Sequence, residues 1–262
     1  MGALDPSTYQ PDQSLTATIG RRLTQWKAAA PLPLTPSRPM ISFTFDDFPI
    51  SAAENGAAVV EAFNAKATFY ACTGLSGLKT PLGEMFTDRT LETLSARGHQ
   101  IAAHSHAHID CSIANIRTIQ ADLTRNLLAL RDYVDPAYPC HFAWPFGETQ
   151  TDTKQELKSL MATARGILPG INRKGSDRVQ LRSYAIMRDE WTVERAEKAI
   201  EKAALSGGWV ILHTHDVQDQ PSDIGTRPST LRYLAKLARN SGLDIVSIEE
   251  AHDNLRKEMS LD

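Results

Sequence analysis

The stretch ISFTFDDF, residues 41–48, places two acidic residues directly after a short run of β-branched and aromatic residues. Residues 41–45 are typical of a strand, so Asp46 and Asp47 fall at its carboxyl end. Neighbouring acids usually lie in a solvated loop. Burying carboxylates behind an aromatic strand costs several kcal/mol unless a cation or hydrogen-bond donors compensate. The stretch therefore predicts a strand that ends in a charged site.

Seven further strand-like runs follow this one along the chain. They are ATFYAC (67–72), QIAAHS (100–105), HFAWPF (141–146), MATARG (161–166), SYAIMR (183–188), WVILHTH (209–215) and LDIVSI (243–248). Helical patterns lie between them at 53–66, 89–98, 116–134, 192–208 and 229–242. Strands that alternate with helices indicate a parallel sheet, and eight such strands are enough for an α/β barrel.

The length of 262 residues with 42% hydrophobic and 23% charged residues is typical of a globular chain of one or two domains. Residues 1–38 carry five prolines around one helix-compatible piece at 19–29, which predicts an N-terminal arm. We expect this arm to pack along the domain, with an arm that reaches a second subunit as the alternative. Residues 39–262 then form the barrel domain.

Charge and hydropathy exclude several classes of partner. The chain has 28 basic and 31 acidic residues, without the basic surplus of nucleic-acid-binding proteins. Its longest apolar run has four residues, whereas a membrane-spanning helix needs about 20. The N-terminus lacks a secretion signal, and Cys72, Cys111 and Cys140 form no CxxC pair, so we expect a cytoplasmic protein. The sequence leaves the oligomeric state open.

Five of the eight histidines fall in two short clusters, HSHAH (104–108) and LHTHD (212–216). Both clusters, like the pair Asp46 and Asp47, follow predicted strands. In a parallel barrel the carboxyl ends of the strands meet at one mouth, where active sites lie. The three polar clusters are therefore predicted to share one pocket.

The spacing of His104 and His108 would place both on one face of a helical turn, where they could bind one cation while His106 points away. Two imidazoles and one carboxylate leave coordination positions open, which is typical of catalytic metal sites. Such nitrogen and oxygen ligands accept Zn²⁺, our first choice, or Co²⁺, Mn²⁺, Ni²⁺ or Fe²⁺.

His215 is either a core histidine or a proton donor, and a metal in the same mouth favours the donor. His213 lies deeper on the strand and is predicted to be a supporting or core residue.

The ordered motifs resemble those of the polysaccharide deacetylases, carbohydrate esterase family 4, over residues 41–216. FTFDDF is similar to the first motif, which implies that Asp46 is the general base and Asp47 a metal ligand. HSHAH is similar to the second motif and implies that His104 and His108 are ligands. VILHTHD is similar to the fifth motif, which makes His215 the general acid. The resemblance also implies the fold, a single-domain α/β chain forming a distorted TIM-like (β/α)7 barrel.

A further motif, AWPFG at 143–147, resembles the one that lines a wall of the family's groove. It implies that Trp144, Pro145 and Phe146 contact substrate. The fourth motif is matched only loosely around Trp191, the other aromatic residue that would contact a sugar. Aromatic residues at strand ends also often belong to the core, which is the alternative for these rings.

Two positions depart from the family pattern. Phe48 stands where a glycine usually follows the acidic pair, which predicts a bulkier pocket floor. Ala143 replaces the arginine that pairs with the catalytic base. Arg165 and Arg188 each end a predicted strand, and either could take over this role, with Arg165 favoured.

The resemblance implies a metal-dependent hydrolase that removes N-acetyl groups from an amino-sugar glycan or oligosaccharide. An alternative substrate is a small non-sugar amide, as in an allantoinase-like enzyme. A second alternative is a sugar-binding module without turnover, although a retained base and acid argue against it. The sequence does not choose the substrate or the native metal.

Overall fold

The computed structural model of the chain describes residue 24 and residues 27–134 and 139–260. Residues 1–23, 25 and 26 of the predicted arm lie outside the described residues, and they include most of its helix-compatible piece. None of the described helices is both long and apolar enough to cross a membrane.

Ten strands are present in the described part of the chain. They are β1 (Met40–Asp46), β2 (Thr68–Ala71), β3 (Lys79–Thr80), β4 (Gly83–Glu84), β5 (Gln100–Ala103), β6 (Cys140–Ala143), β7 (Met161–Arg165), β8 (Tyr184–Ala185), β9 (Trp209–Thr214) and β10 (Asp244–Ile245). β3 and β4 form a small antiparallel hairpin. The other eight strands correspond to the eight predicted runs and form one sheet in the order β7-β6-β5-β2-β1-β9-β8, with β10 beside the start of β1.

The sheet is parallel and curls into a distorted barrel. At one edge, Arg165 of β7 forms a parallel bridge with Leu181. At the other edge, Tyr184 and Ala185 of β8 pair with Leu212 and His213 of β9. Residues 181–185 therefore contact both edges of the sheet. The chain is a single α/β domain of the predicted distorted (β/α)7 type, and the fold prediction is confirmed.

Seven α-helices cover the sheet in the described part of the chain. They are α1 (Ala57–Glu61), α2 (Asp88–Ala96), α3 (Ile116–Ala129), α4 (Thr151–Leu157), α5 (Glu190–Ser206), α6 (Pro228–Asn240) and α7 (Ile248–Met259). The five predicted helical stretches overlap α1, α2, α3, α5 and α6, whereas α4 and α7 were not predicted. The predicted strand at 243–248 is shorter than expected because Ser247 forms a capping box with Glu250 and starts α7.

Strand β1 is the centre of the core, and all seven of its residues are buried. Phe43 and Phe45 pack outward among the helices. Ser42 and Thr44 point to the other face, where Trp209 Nε1 donates to Ser42 Oγ at 2.9 Å and Thr44 Oγ1 donates to the Leu212 carbonyl at 3.0 Å. Because their hydroxyls are paired, these polar residues are tolerated in a fully buried strand.

The described part of the predicted arm packs on the barrel. The Leu32 N–H donates to the Ser176 carbonyl at 2.7 Å, and the Gly175 N–H donates to the Leu32 carbonyl at 2.8 Å. The N–H groups of Ala29 and Ala30 both donate to the Asp177 carboxylate. The division between arm and barrel domain at residue 38 remains a prediction.

Candidate active site

The polar clusters follow the carboxyl ends of strands that lie close together in the sheet. Asp46 ends β1 and Asp47 follows it, His104 follows β5, and His215 follows β9. β2 separates β5 from β1, and β9 is the other neighbour of β1. Because all these strands run in parallel, their polar ends share one mouth of the barrel.

Three of the residues converge tightly enough to bind one cation. The ligand atoms of Asp47, His104 and His108 all lie within 4.8 Å of one another, and all three side chains are buried. Asp47 Oδ2 lies 2.8 Å from Nε2 of His108 and 3.7 Å from Nε2 of His104. His104 Nδ1 lies 2.8 Å from the Ala143 carbonyl, so Nδ1 carries the proton and leaves Nε2 with a free lone pair. These residues fit a divalent cation.

The electrostatics of this trio also suit a cation. Burial opposes ionisation of Asp47, but His108 and His104 together lower the pKa of its carboxyl. Burial lowers the pKa of His104, while Asp47 outweighs burial and raises the pKa of His108. A metal ligand must be an ionised carboxylate or a neutral imidazole, so a cation would replace the proton that the Asp47 carboxylate favours on His108.

The two histidines meet through a loop and not through the expected helical turn. Residues 104–108 contain no helix, and Ser105 and His108 have positive φ values of 60° and 48°. This path brings the imidazole centroids of His104 and His108 to 5.1 Å. His106 turns away, with Nδ1 2.9 Å from Thr73 Oγ1.

Asp46 lies beside the trio and forms a buried ion pair with Arg165. Burial would raise the pKa of Asp46, but the guanidinium of Arg165 and the nearby imidazoles outweigh it and hold that pKa well below its usual range. Arg165 Nη1 also donates to the Gly166 carbonyl at 2.9 Å, and its guanidinium lies 5.3 Å from the Tyr70 ring centroid. The curl of the sheet thus carries β7 across the barrel to Asp46.

The second candidate arginine lies elsewhere. Arg188 pairs with Asp223 at the surface, and its side chain is 55% exposed. Of the two arginines considered from the sequence, the structure brings only Arg165 into contact with Asp46.

His215 and His213 have different surroundings. His215 is half-buried, and its Nδ1 lies 3.3 Å from the Ile224 carbonyl. His213 is buried, and its Nδ1 lies 2.9 Å from Ser183 Oγ. Burial lowers the pKa of His213 to about 3, so this imidazole is neutral at physiological pH. His215 is therefore the member of the pair that is open to a substrate.

The sequence match agrees with this arrangement. The family model described as polysaccharide deacetylase matches residues 34–164, half of the chain, and this segment includes Asp46, Asp47, His104 and His108. The chain belongs to the polysaccharide deacetylase family. No curated protein matches it by sequence.

Solved structures of this family share the fold. The chitin deacetylase of Colletotrichum lindemuthianum is 19% identical with a TM-score of 0.59, over 86% of this chain and 92% of that one. A family 4 carbohydrate esterase from Streptomyces lividans, solved with acetate, is 17% identical with a TM-score of 0.53, over 79% and 91%. A family 4 pseudoenzyme from Bacillus anthracis is 15% identical with a TM-score of 0.55, over 84% and 67%. At such identities the likeness shows the fold alone.

The AWPFG stretch of this polysaccharide deacetylase family member supplies less substrate surface than expected. Trp144 is 1% exposed, and its Nε1 donates to the Val179 carbonyl at 2.8 Å. Its ring belongs to the core, which is the alternative that the sequence left open for these aromatic residues, and it offers no face to a sugar. Pro145 is buried as well, whereas Phe146 is partly exposed and packs edge-on against His108 with centroids 4.5 Å apart.

Trp191 lies at the start of α5 and is 61% exposed. The Arg195 guanidinium lies 4.4 Å from its ring centroid and covers part of it. Asp189, in the loosely matched motif before it, caps α5 by accepting the Thr192 N–H at 2.9 Å. The Asp189 carboxylate therefore stabilises the start of α5.

Several residues that contact the site were not predicted from the sequence. They are Asp122 and Asn126 of α3, Tyr70 of β2, Ser183 and Ile224. Most of them act through a backbone atom or through hydrogen bonds to other site residues. With one exception, no spacing in the sequence indicates such contacts. Only the four-residue separation of Asp122 and Asn126 shows that they share a helix face.

Proposed function

We propose that the chain is a metal-dependent hydrolase that removes N-acetyl groups from the amino sugars of a glycan or oligosaccharide. The observation that carries this proposal is the convergence of Asp47, His104 and His108 within 4.8 Å at the mouth that also holds Asp46 and His215. Membership of the polysaccharide deacetylase family supports the reaction class.

The donor set of two imidazole nitrogens and one carboxylate favours Zn²⁺, with Co²⁺, Mn²⁺, Ni²⁺ and Fe²⁺ as the other candidates. When bound, a divalent cation supplies Lewis acidity beside the acetyl carbonyl. Asp47, His104 and His108 would hold it. Their burial excludes bulk water from that side of the site.

Asp46 is the proposed general base. The paired guanidinium of Arg165 keeps its carboxylate ionised at neutral pH, so it can accept a proton from the attacking water. In this chain Arg165 thus takes the role of the arginine missing at Ala143. The water oxygen forms a bond to the acetyl carbon as the proton moves to Asp46.

His215 is the proposed general acid. Its Nδ1 faces the Ile224 carbonyl, so the proton that the imidazolium form donates is the one on Nε2. The carbon–nitrogen bond breaks as the amine accepts this proton, and acetate and the free amino sugar leave. Phe146 and Trp191 are the proposed substrate contacts, since Pro145 is buried, and the Phe146 ring packs directly on His108.

Acetate release from N-acetylglucosamine oligomers tests the proposal. We expect turnover by the purified chain, its loss with a chelator, and its return with Zn²⁺ or Co²⁺. The variants Asp47→Asn, Asp46→Asn and His215→Gln should each lose activity by about a hundredfold or more. His106→Gln is the matched control, because this histidine turns toward Thr73 and leaves the trio intact.

Other outcomes would redirect the assignment. Release of carboxylate or ammonia from ureide-type amides, without acetate release from oligomers, would support a small-amide hydrolase. Binding of oligomers without turnover under any metal would support a pseudoenzyme, as in the relative from Bacillus anthracis. Either result would contradict the proposed deacetylase.

A further inference from the structure

One face of helix α3 lies directly beneath the loop that carries His104 and His108. Asp122 accepts hydrogen bonds from the N–H groups of His106 at 2.6 Å and Ala107 at 3.1 Å. These two residues lie between the two histidines of the trio. A single carboxylate thus fixes consecutive peptide groups in the middle of the loop.

Asn126, one turn further along α3, holds the start of the same loop. Its Oδ1 accepts the N–H of His104 at 3.2 Å. Its Nδ2 donates to the Ala71 carbonyl at 2.9 Å and to Thr73 Oγ1 at 3.0 Å. The side chain is fully buried. Asn126 therefore connects the loop to the end of β2, and its side-chain Oδ1 and Nδ2 are both hydrogen-bonded.

The loop needs such support because its own conformation is unfavourable. Ser105 and His108 both adopt positive φ values, although neither is glycine. Residues in this region keep their conformation only where surrounding contacts hold them there. The hydrogen bonds that Asp122 and Asn126 accept from the loop lie on both sides of Ser105 and extend to Ala107, the residue before His108.

We propose that Asp122 and Asn126 are positioning residues for the metal site, which hold residues 104–107 so that both imidazoles face Asp47. This inference rests on the proposed function, because it assumes that the trio binds a cation. Neither residue contacts the cation position itself. Their role is to fix the separation and direction of the two imidazoles, as residues around metal ligands do in other sites.

The test measures Co²⁺ affinity and the visible Co²⁺ spectrum of the full chain and of Asp122→Ala and Asp122→Asn. We expect the Co²⁺ dissociation constant to rise about 10- to 100-fold in Asp122→Ala, with a changed absorption band. The Co²⁺ dissociation constant of Asp122→Asn should lie between those of the unaltered chain and Asp122→Ala, because asparagine keeps one acceptor oxygen. Asp132→Ala is the matched control, since it removes an exposed acid near the end of the same helix and should leave affinity and spectrum unchanged.

Three results would overturn the inference. If both Asp122 variants bind Co²⁺ with the affinity and spectrum of the unaltered chain, Asp122 only stabilises the fold. If Asp122→Ala does not fold, the result for Asp122→Asn decides. An unchanged Co²⁺ affinity in that variant would also show that Asp122 only stabilises the fold. If the unaltered chain binds no Co²⁺ or Zn²⁺, the proposed function itself fails and the inference with it.

Discussion

Asp46 and Asp47 are neighbours in sequence, and both are buried, yet each carboxylate has its own compensation. Arg165 pairs with Asp46, while the imidazoles of His104 and His108 face Asp47. Two buried carboxylates on adjacent residues would raise each other's pKa if neither had a partner. Separate cationic or hydrogen-bonding partners keep both ionised, so one can act as a base and the other as a ligand.

Replacing Arg165 tests this arrangement. We expect Arg165→Met to lower the free energy of unfolding by about 3 to 5 kcal/mol, because it leaves the buried Asp46 carboxylate without its partner. Activity should fall too, since the base loses the group that orients it. Urea denaturation and acetate release measure the two effects.

The controls for this prediction are Arg188→Met and the double variant Asp46→Asn/Arg165→Met. Arg188 pairs with Asp223 at the surface, so its loss should change stability by less than about 1 kcal/mol. The double variant removes both buried charges and should regain much of the stability while it stays inactive. If it is no more stable than Arg165→Met, the buried charge is not the cause.

His99 is a buried histidine far from the proposed chemistry, and it links stability to pH. Its Nδ1 accepts the Ala67 N–H at 3.1 Å, and its Nε2 lies 3.1 Å from Glu61 Oε1. Protonation of Nδ1 would break the bond to Ala67. Burial lowers the pKa of His99 to about 4, below the usual value of 6.5.

The sign of the pH effect follows from this lowered pKa. Between pH 6.5 and 4 the unfolded chain binds a proton at His99 that the folded chain does not, so stability falls as the pH falls. We expect this group to account for about 1 to 2 kcal/mol of the loss in unfolding free energy between pH 7 and pH 5. His99→Gln should reduce that difference in urea denaturation, and an equal pH slope in the variant would contradict the assignment.

At the scale of elements, the loop after β9 builds the surroundings of His215. The Asp216 carboxylate accepts hydrogen bonds from the Ser222 N–H at 2.9 Å, from the Ser222 hydroxyl and from Gln218 Nε2 at 3.0 Å. The Thr226 N–H donates to the Asp216 carbonyl at 2.9 Å. These bonds fold residues 216–226 back so that the Ile224 carbonyl faces His215.

Gly225 is a position in this loop where a side chain does not fit. A Cβ atom there would overlap the Asp216 carboxylate. We expect Gly225→Ala to displace Ile224 and to lower kcat about tenfold or more, while substrate affinity changes less, because the proposed acid loses its orientation. Gln218→Ala removes one bond to Asp216 without adding bulk and should cost less. A variant of Gly225 with unchanged kcat would show that the loop does not orient His215.

At the scale of the whole molecule, one buried lysine joins the arm to the barrel. Lys154 of α4 is fully buried, and its Nζ donates to the carbonyls of Thr24 and Lys27, to Asp177 Oδ2 and to Gln180 Oε1. Asp177 also accepts the N–H groups of residues 29 and 30. The charge pair therefore fixes the described part of the arm against α4 and against the segment around Asp177.

We expect Lys154→Met to lower the free energy of unfolding by about 3 to 5 kcal/mol and to speed proteolytic cleavage between residues 24 and 30. The reason is that Asp177 and two backbone carbonyls lose a buried cation. Lys158→Met is the control, because among the described residues the Lys158 side chain bonds only the Gln155 side chain, and the variant should behave as the unaltered chain does. Equal cleavage rates in the two variants would contradict the prediction.

The barrel and five of the seven α-helices in the described part of the chain were predictable, because local patterns determine them. Every predicted strand corresponds to a strand of the sheet, since runs such as WVILHTH combine β propensity with burial on both faces. The failures have local causes as well. The Ser247 cap converted the end of a predicted strand into α7, and positive φ values at Ser105 and His108 replaced the expected helical turn.

The sequence by itself determined which residues are chemically suited to the site, because Asp46, Asp47, His104, His108 and His215 each follow a predictable strand. Only the tertiary structure decided which arginine lies beside Asp46, that Trp144 is core, and what holds the ligand loop. These features depend on contacts between residues far apart in the chain, such as Arg165 with Asp46 across the barrel. Such contacts arise when the sheet curls, and periodicity along the chain contains no information about them.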